Sequence, residues 1–100
     1  MATTTKALFR GAASTSSATL YTVPSSTTAV ITNIAISNTA STAATADLSL
    51  DDVQIFNDLA IAANSTVFVD LKQVLATAKT IKGLASATSV TFHISGVEIA

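Results

Sequence analysis

The spacing of short β-branched runs is what most limits the folds open to this chain. The clearest run is Ala29-Val30-Ile31-Thr32-Asn33-Ile34-Ala35-Ile36-Ser37, bounded by Pro24-Ser25-Ser26 before it and Asn38-Thr39 after it. Further runs follow: Ala46–Leu50, Val53–Phe56, Leu59–Ala63, Thr66–Leu71 and Ser89–Ile99. Runs of this kind, separated by turn residues, point to an all-β sandwich or barrel. The expectation is one domain, a small antiparallel β-sandwich of jelly-roll or Ig-like type. A chain of 100 residues has no room for a second core.

The pattern along the chain sets more local expectations. Thr3–Arg10 reads as an extended segment, with Ala7 and Phe9 on one face and Lys6, Leu8 and Arg10 on the other. Gly11–Ser17 reads as a loop, so residues 1–17 are expected to form an N-terminal arm and residues 18–100 the sandwich. Ala18–Val23 is a strand stopped by Pro24, which cannot donate to a ladder, and Ser25-Ser26-Thr27 makes the turn. In the long run, Val30, Ile34 and Ile36 are expected on one face and Ile31, Asn33 and Ala35 on the other. Apolar groups on both faces predict a central strand, or one whose second face meets a neighbouring subunit. Asn38–Thr45 is a polar link.

Leu48 and Leu50 alternate with polar residues up to Asp51-Asp52, and Val53–Phe56 follows, which predicts a hairpin about the acidic pair. Asn57-Asp58 reads as another turn, and Asn64-Ser65 as the tip of a second hairpin joining Leu59–Ala63 to Thr66–Leu71. Leu71, Val74, Leu75 and Ala78 have helical spacing behind Asp70, a possible cap, so Lys72–Lys79 is read as at most one helical turn. Thr80–Ala87 is a weak strand. In the last run Val90, Phe92 and Ile94 share a face, and Gly96 marks a bulge after which Val97 and Ile99 continue it.

Composition narrows function mainly by exclusion. About half of the residues are Ala, Ser or Thr. A monomer therefore has little apolar area to set against about 1–2 kcal/mol of backbone entropy per residue, and part of the stability is expected from contacts between subunits. Lys6, Arg10, Lys72, Lys79 and Lys82 never cluster, and the net charge is −1. Nucleic-acid binding wants a basic stripe, usually with stacking aromatics, so no nucleic-acid partner is expected. Cysteine is absent, which excludes disulfides and thiolate zinc sites. Met1–Lys6 lacks the apolar core of a signal peptide, and no stretch approaches the ~18 apolar residues of a membrane span. The product is expected to be made in the cytoplasm and to stay there or leave within a larger assembly. The Thr- and Ala-rich composition shows no repeated Thr-x-Thr ladder of the sort an ice-binding lattice needs.

Few residues invite chemistry. His93 is the only histidine, and no Gly-x-Ser-x-Gly elbow accompanies the serines, so catalysis by base and nucleophile is not expected. His93 reads as a surface or interface residue, able to make assembly depend on pH between about 5 and 8. Asp47, Asp51 and Asp52 lack the spacing of an EF-hand loop and read, with Asp58, as solvated turns. The three glycines, Gly11, Gly83 and Gly96, are too far apart for a phosphate loop. Asn64-Ser65-Thr66 matches a glycosylation sequon but reads as turn chemistry. Tyr21 and Phe68 are candidate aromatic anchors, with Phe68 read rather as core. No cofactor or metal is expected.

Leu20-Tyr21-Thr22-Val23-Pro24, a polar turn, Ala29–Ile34 and Asn38 together resemble the opening of small virion structural proteins of tailed bacteriophages. Ile61–Thr66 and the closing Phe92-His93-Ile94-Ser95-Gly96-Val97-Glu98-Ile99 fit the same pattern. Members often carry a glycine after the proline, where this chain has Ser25-Ser26. The resemblance implies a β-sandwich present in many copies in a phage particle: a capsid decoration or cement protein, or a tail, baseplate or fibre component. The expected partners are other copies, as a homotrimer or another symmetric oligomer, and the major capsid protein or other virion subunits, with no membrane. Localisation would be the virion, after synthesis in the host bacterial cytoplasm. Lys6, Phe9, Arg10, Tyr21, Ile31 and His93 are the expected interface residues, and deleting residues 2–10 is expected to abolish particle binding while sparing the fold. A carbohydrate-binding surface module is the alternative from another class.

Overall fold

The structure is a computed structural model that describes residues 2–100. Eight strands make up the chain: β1 Thr3–Ala12, β2 Ala18–Thr22, β3 Thr28–Asn38, β4 Ala44–Leu50, β5 Val53–Ile61, β6 Ser65–Leu75, β7 Thr80–Ala85 and β8 Val90–Ile99. They form two four-stranded sheets, ordered β1-β8-β3-β6 and β2-β7-β4-β5, with every pairing antiparallel. Only β4 and β5 are neighbours both in sequence and in a sheet. Every other link crosses from sheet to sheet, which makes this the double Greek key of a jelly roll and resolves the jelly-roll or Ig-like expectation.

The core lies between the sheets. Ile31, Ile34, Ile36, Val90, Phe92 and Ile94 enter it from the first sheet, and Ala46, Leu48, Ile61, Ile81 and Ala85 from the second; all are buried. Burying each large apolar side chain contributes roughly 1.5–3 kcal/mol, so β3 and β8 dominate the stability.

The Asp51-Asp52 hairpin forms as expected. Both residues have left-handed φ, 54° and 59°, as a two-residue turn of mirror-image type requires, and Leu50 pairs with Val53. Lys79 Nζ lies 3.4 Å from Asp51 and Lys82 Nζ 2.8 Å from Asp52, so the acids are tied to β7 and the residue just before it. Lys82 holds the Asp52 carboxyl below the usual carboxylate range.

Several expectations are corrected. Asn57-Asp58 is not a turn: β5 runs through it, with register breaks against β4 and a φ of 53° at Asp58. Asp47 Oδ1 accepts a hydrogen bond from the Asp58 amide at 2.6 Å, which stabilises the irregularity. Asn64-Ser65 is not a hairpin tip, because β5 and β6 lie in different sheets. The reading of Lys72–Lys79, left open between a turn and at most one helical turn, is resolved without a helix. β6 continues to Leu75, and the Thr77 hydroxyl accepts from the Thr27 amide at 3.1 Å and donates to the Thr27 carbonyl at 2.7 Å. That side chain supplies the bonds a further strand residue would make, so the turn needs no helix. Asp70 accepts from Asn33 Nδ2 at 3.1 Å rather than capping anything.

The bulge expected at Gly96 sits instead on the strands either side of β8. Ile31 and Asn33 of β3 pair with consecutive residues Gly96 and Ser95, leaving Thr32 extra; Ala7 and Phe9 of β1 pair with Ser95 and Ile94, leaving Leu8 extra. Alternation in β8 is therefore unbroken, while that in β3 flips at Thr32. Ile31 and Ile34 both point inward, against the expected split into Ile31, Asn33 and Ala35 on one side. Likewise Leu8 is buried and Phe9 packs against the core.

β1 is part of the sandwich. It pairs with β8 from Thr3↔Ile99 to Ala12↔Thr91, so residues 3–12 form no free arm, and removing residues 2–10 strips an edge strand and the buried Leu8. Met1 lies outside the described residues.

Candidate interaction surfaces

The outer face of the first sheet presents its side chains in cross-strand rows. Register places Arg10 (β1) opposite His93 (β8), His93 opposite Ala35 (β3), and Ala35 opposite Phe68 (β6). The neighbouring row is Ala12, Thr91, Ser37 and Thr66, with a 2.8 Å hydrogen bond between the Ser37 and Thr66 hydroxyls. On the other side lie Ala7, Ser95, Asn33 and Asp70. The face is mostly small and hydroxylated. A shallow groove of about 410 Å³ crosses it where Thr32 bulges, lined by Thr5, Lys6, Ala7, Arg10, Thr32 and Ser95 among others.

The six expected interface residues divide. Arg10 is exposed and His93 half-buried on this outer face. Lys6 is exposed and pairs with Glu98 at 3.4 Å. Phe9 and Tyr21 belong to the body of the sandwich, and Ile31 is fully buried, which removes it from any surface role. Phe68, read as core, is 70% exposed.

Tyr21, Glu98 and Lys6 form a cluster at one end of the sandwich. The Tyr21 hydroxyl donates to Glu98 Oε2. Burial, the hydrogen bond to Glu98 and the nearby negative charge hold the phenol protonated well above the usual tyrosine range. The same hydrogen bond, with help from Lys6, pulls the Glu98 carboxyl below its ordinary value. The phenol's raised value means that its stabilisation is complete below about pH 10 and is lost as pH climbs beyond that. The carboxyl's lowered value means that its stabilisation is present above about pH 4.3 and is lost as pH falls through the folded value. Tyr21→Phe is expected to cost roughly 1.5 kcal/mol near neutrality and to flatten the stability profile at both extremes. Urea melts of both proteins at pH 3, 7 and 11 check this; parallel profiles would refute it.

Of the large exposed apolar side chains, sequence reasoning singled out only Phe68, as an anchor candidate read rather as core, and missed the other three. Val53 is 69% exposed, Ile55 36%, Phe68 70% and Val74 67%. All four lie on β5 or β6, the end strands of the two sheets, which touch along one side of the sandwich. Among the described residues no three His, Cys, Asp or Glu side chains come together as a metal site. Asp47, Asp51 and Asp52 are engaged instead by the Asp58 amide, Lys79 and Lys82 respectively.

No family model matches the chain, and no curated protein matches it in sequence. Among the solved structures that superpose on it are two of one enzyme and one of a capsid protein. An exo-β-1,3-galactanase from Phanerochaete chrysosporium, in a variant solved with β-1,3-galactotriose, superposes with a TM-score of 0.50 at 12% identity, over 97% of this chain and 29% of that one. The same enzyme with galactose gives 0.46 at 13% identity, with the same coverage. A pentameric capsid protein from metagenomic phage sequences gives 0.41 at 18% identity, over 94% of this chain and 59% of that one. The chain thus spans under a third of the galactanase, and at 12% identity the likeness to it concerns the fold alone.

Proposed function

We propose that the chain is a structural virion protein that decorates the outside of a tailed-phage capsid and bridges shell subunits. In this reading it acts by shape and not by turnover. The observation that carries it is the placement of exposed apolar side chains. Val53, Ile55, Phe68 and Val74 all sit on the end strands along one side, where assembly contacts bury such groups. The flat hydroxylated face of the first sheet suits a broad, weakly polar contact repeated over a shell, where several modest contacts add through avidity. The resemblance carried by Leu20–Pro24, Ala29–Ile34 and Phe92–Ile99 supports the same role. A tail, baseplate or fibre position is the second reading.

A reconstruction of the intact particle is expected to place the sandwich on the outer shell. Density on the tail or fibre would establish the second reading instead, and purified particles lacking the chain would overturn both. A glycan array is expected to stay blank; specific sugar binding would favour a carbohydrate-binding surface module.

A further inference from the structure

The first sheet ends on β6, and β6 is unlike the other end strands. β1 carries a bulge at Leu8 and β2 is only 5 residues long with Pro24 just beyond it. β5 is broken twice against β4. Such features keep sheet edges from pairing with other chains. By contrast β6 is 11 residues long and contains no proline. Half-buried and exposed residues alternate from Ser65 through Lys72, and Val74 continues the outward set, since it pairs with Val30 between buried Ala29 and Ile31. β6 too has one register break, an extra residue between Asp70 and Gln73 opposite Thr32 of β3, but its alternation keeps phase across it, because Asp70 and Val74 on either side both pair with outward residues, Asn33 and Val30. Its outward residues are therefore Thr66, Phe68, Asp70, Lys72 and Val74, and its far edge has no strand partner among the described residues.

That sequence is complementary to itself. Two antiparallel copies related by a two-fold axis pair residue i with j and j with i, and opposed residues share a face, so the axis must pass through a residue. An axis at Leu71 sets Phe68 against Val74 and Asp70 against Lys72, each twice. Shifting it to Asp70 or to Lys72 sets like charges against each other. At Val69 it opposes Asp70 to Phe68, and at Gln73 it opposes Lys72 to Val74, leaving charge against apolar surface. Only the Leu71 register matches both the exposed apolar pair and the ion pair.

We propose that β6 pairs with β6 of a second copy in the register centred on Leu71, joining two sandwiches through a continuous eight-stranded sheet. This deepens the assembly reading above by naming one partner and one contact. It is tested on the purified protein alone, so it can fail while the particle location holds. Sedimentation of the full chain is expected to show a dimer. Lys72→Asp, whose side chain is exposed and makes no bond within the protomer, sets Asp against Asp at both symmetric contacts and should weaken dimerisation by about tenfold or more, with thermal unfolding of the monomer unchanged. Asp70→Lys should weaken it similarly. The two single variants mixed together should form a heterodimer, and D70K/K72D should recover self-association. A monomer at all concentrations, a three- or five-fold ring, or no rescue by mixing and by the double swap would overturn the proposal.

Discussion

Gly96→Ala should lower stability by about 3 kcal/mol, within the range for overpacking a closed core, and the melting temperature by roughly 12–24 °C. No glycine in the chain has positive φ, so the residue is needed for space. A methyl group at Gly96 would run into the Val30 carbonyl oxygen and lie 3.0 Å from Leu8 Cδ1. Both obstacles come from the paired bulges: β3 swings its backbone inward beside Thr32, and β1 pushes Leu8 into the same space. The backbone cannot give way without re-registering β3 against β8, which would turn Ile34 and Ile36 outward. Chemical denaturation of wild type and variant measures the loss. A change under about 1 kcal/mol would show that the bulges shift at little cost and that this position does not require a glycine.

The second large effect is expected at Asn38. Its side chain is 1% exposed at the end of β3. Nδ2 donates to the Thr42 carbonyl at 2.8 Å and to those of Ile61 and Ala62 at 3.4 Å; Oδ1 accepts from the Ala40 amide at 3.1 Å and the Ser89 hydroxyl at 3.2 Å. One amide thus ties together the β3–β4 link, the end of β5 and the β7–β8 loop. Asn38→Leu keeps the branched shape and the number of side-chain heavy atoms and strands several buried partners at about 1–3 kcal/mol each, so a loss of roughly 3 kcal/mol is expected. Asn38→Ser, which retains one donor and acceptor, should recover part of it. Equal loss in both variants would mean that packing, not the hydrogen bonds, decides stability at this site.

How much of the fold is legible in the sequence follows from particular residues. The Asp51-Asp52 hairpin is readable because two alternating leucines flank a pair able to adopt left-handed φ. Asn64 has the same backbone conformation, φ 54°, yet its chain crosses between sheets; local turn chemistry does not say where the next strand goes. The faces of β3 are misread because Thr32 carries a phase flip inside a run with apolar residues on both sides, where either phase looks acceptable. The helical spacing of Leu71, Val74, Leu75 and Ala78 is real but arises from a strand and a turn laid end to end. Phe68 reads as core because large aromatics usually are. Its alternation with Val67 and Val69 is visible in the sequence, but which of the two sets faces inward depends on the topology. The candidate surfaces share that limit: Arg10 and His93 come together only through the β1–β8 register, which no local pattern encodes.

The pairing of β1 with β8 has a consequence for biosynthesis. A ribosome releases β1 first, and β1 has no strand to pair with until Thr91–Ile99 emerges. β3 likewise waits for β8 on one side. Of the six strand pairs, only β4–β5 closes locally, and two, β1–β8 and β3–β8, must wait for the last strand; such non-local closures make β proteins slow to fold. During that interval β1 has no strand partner and one edge of the apolar β3 stands open, and the nascent chain is at its most prone to aggregate.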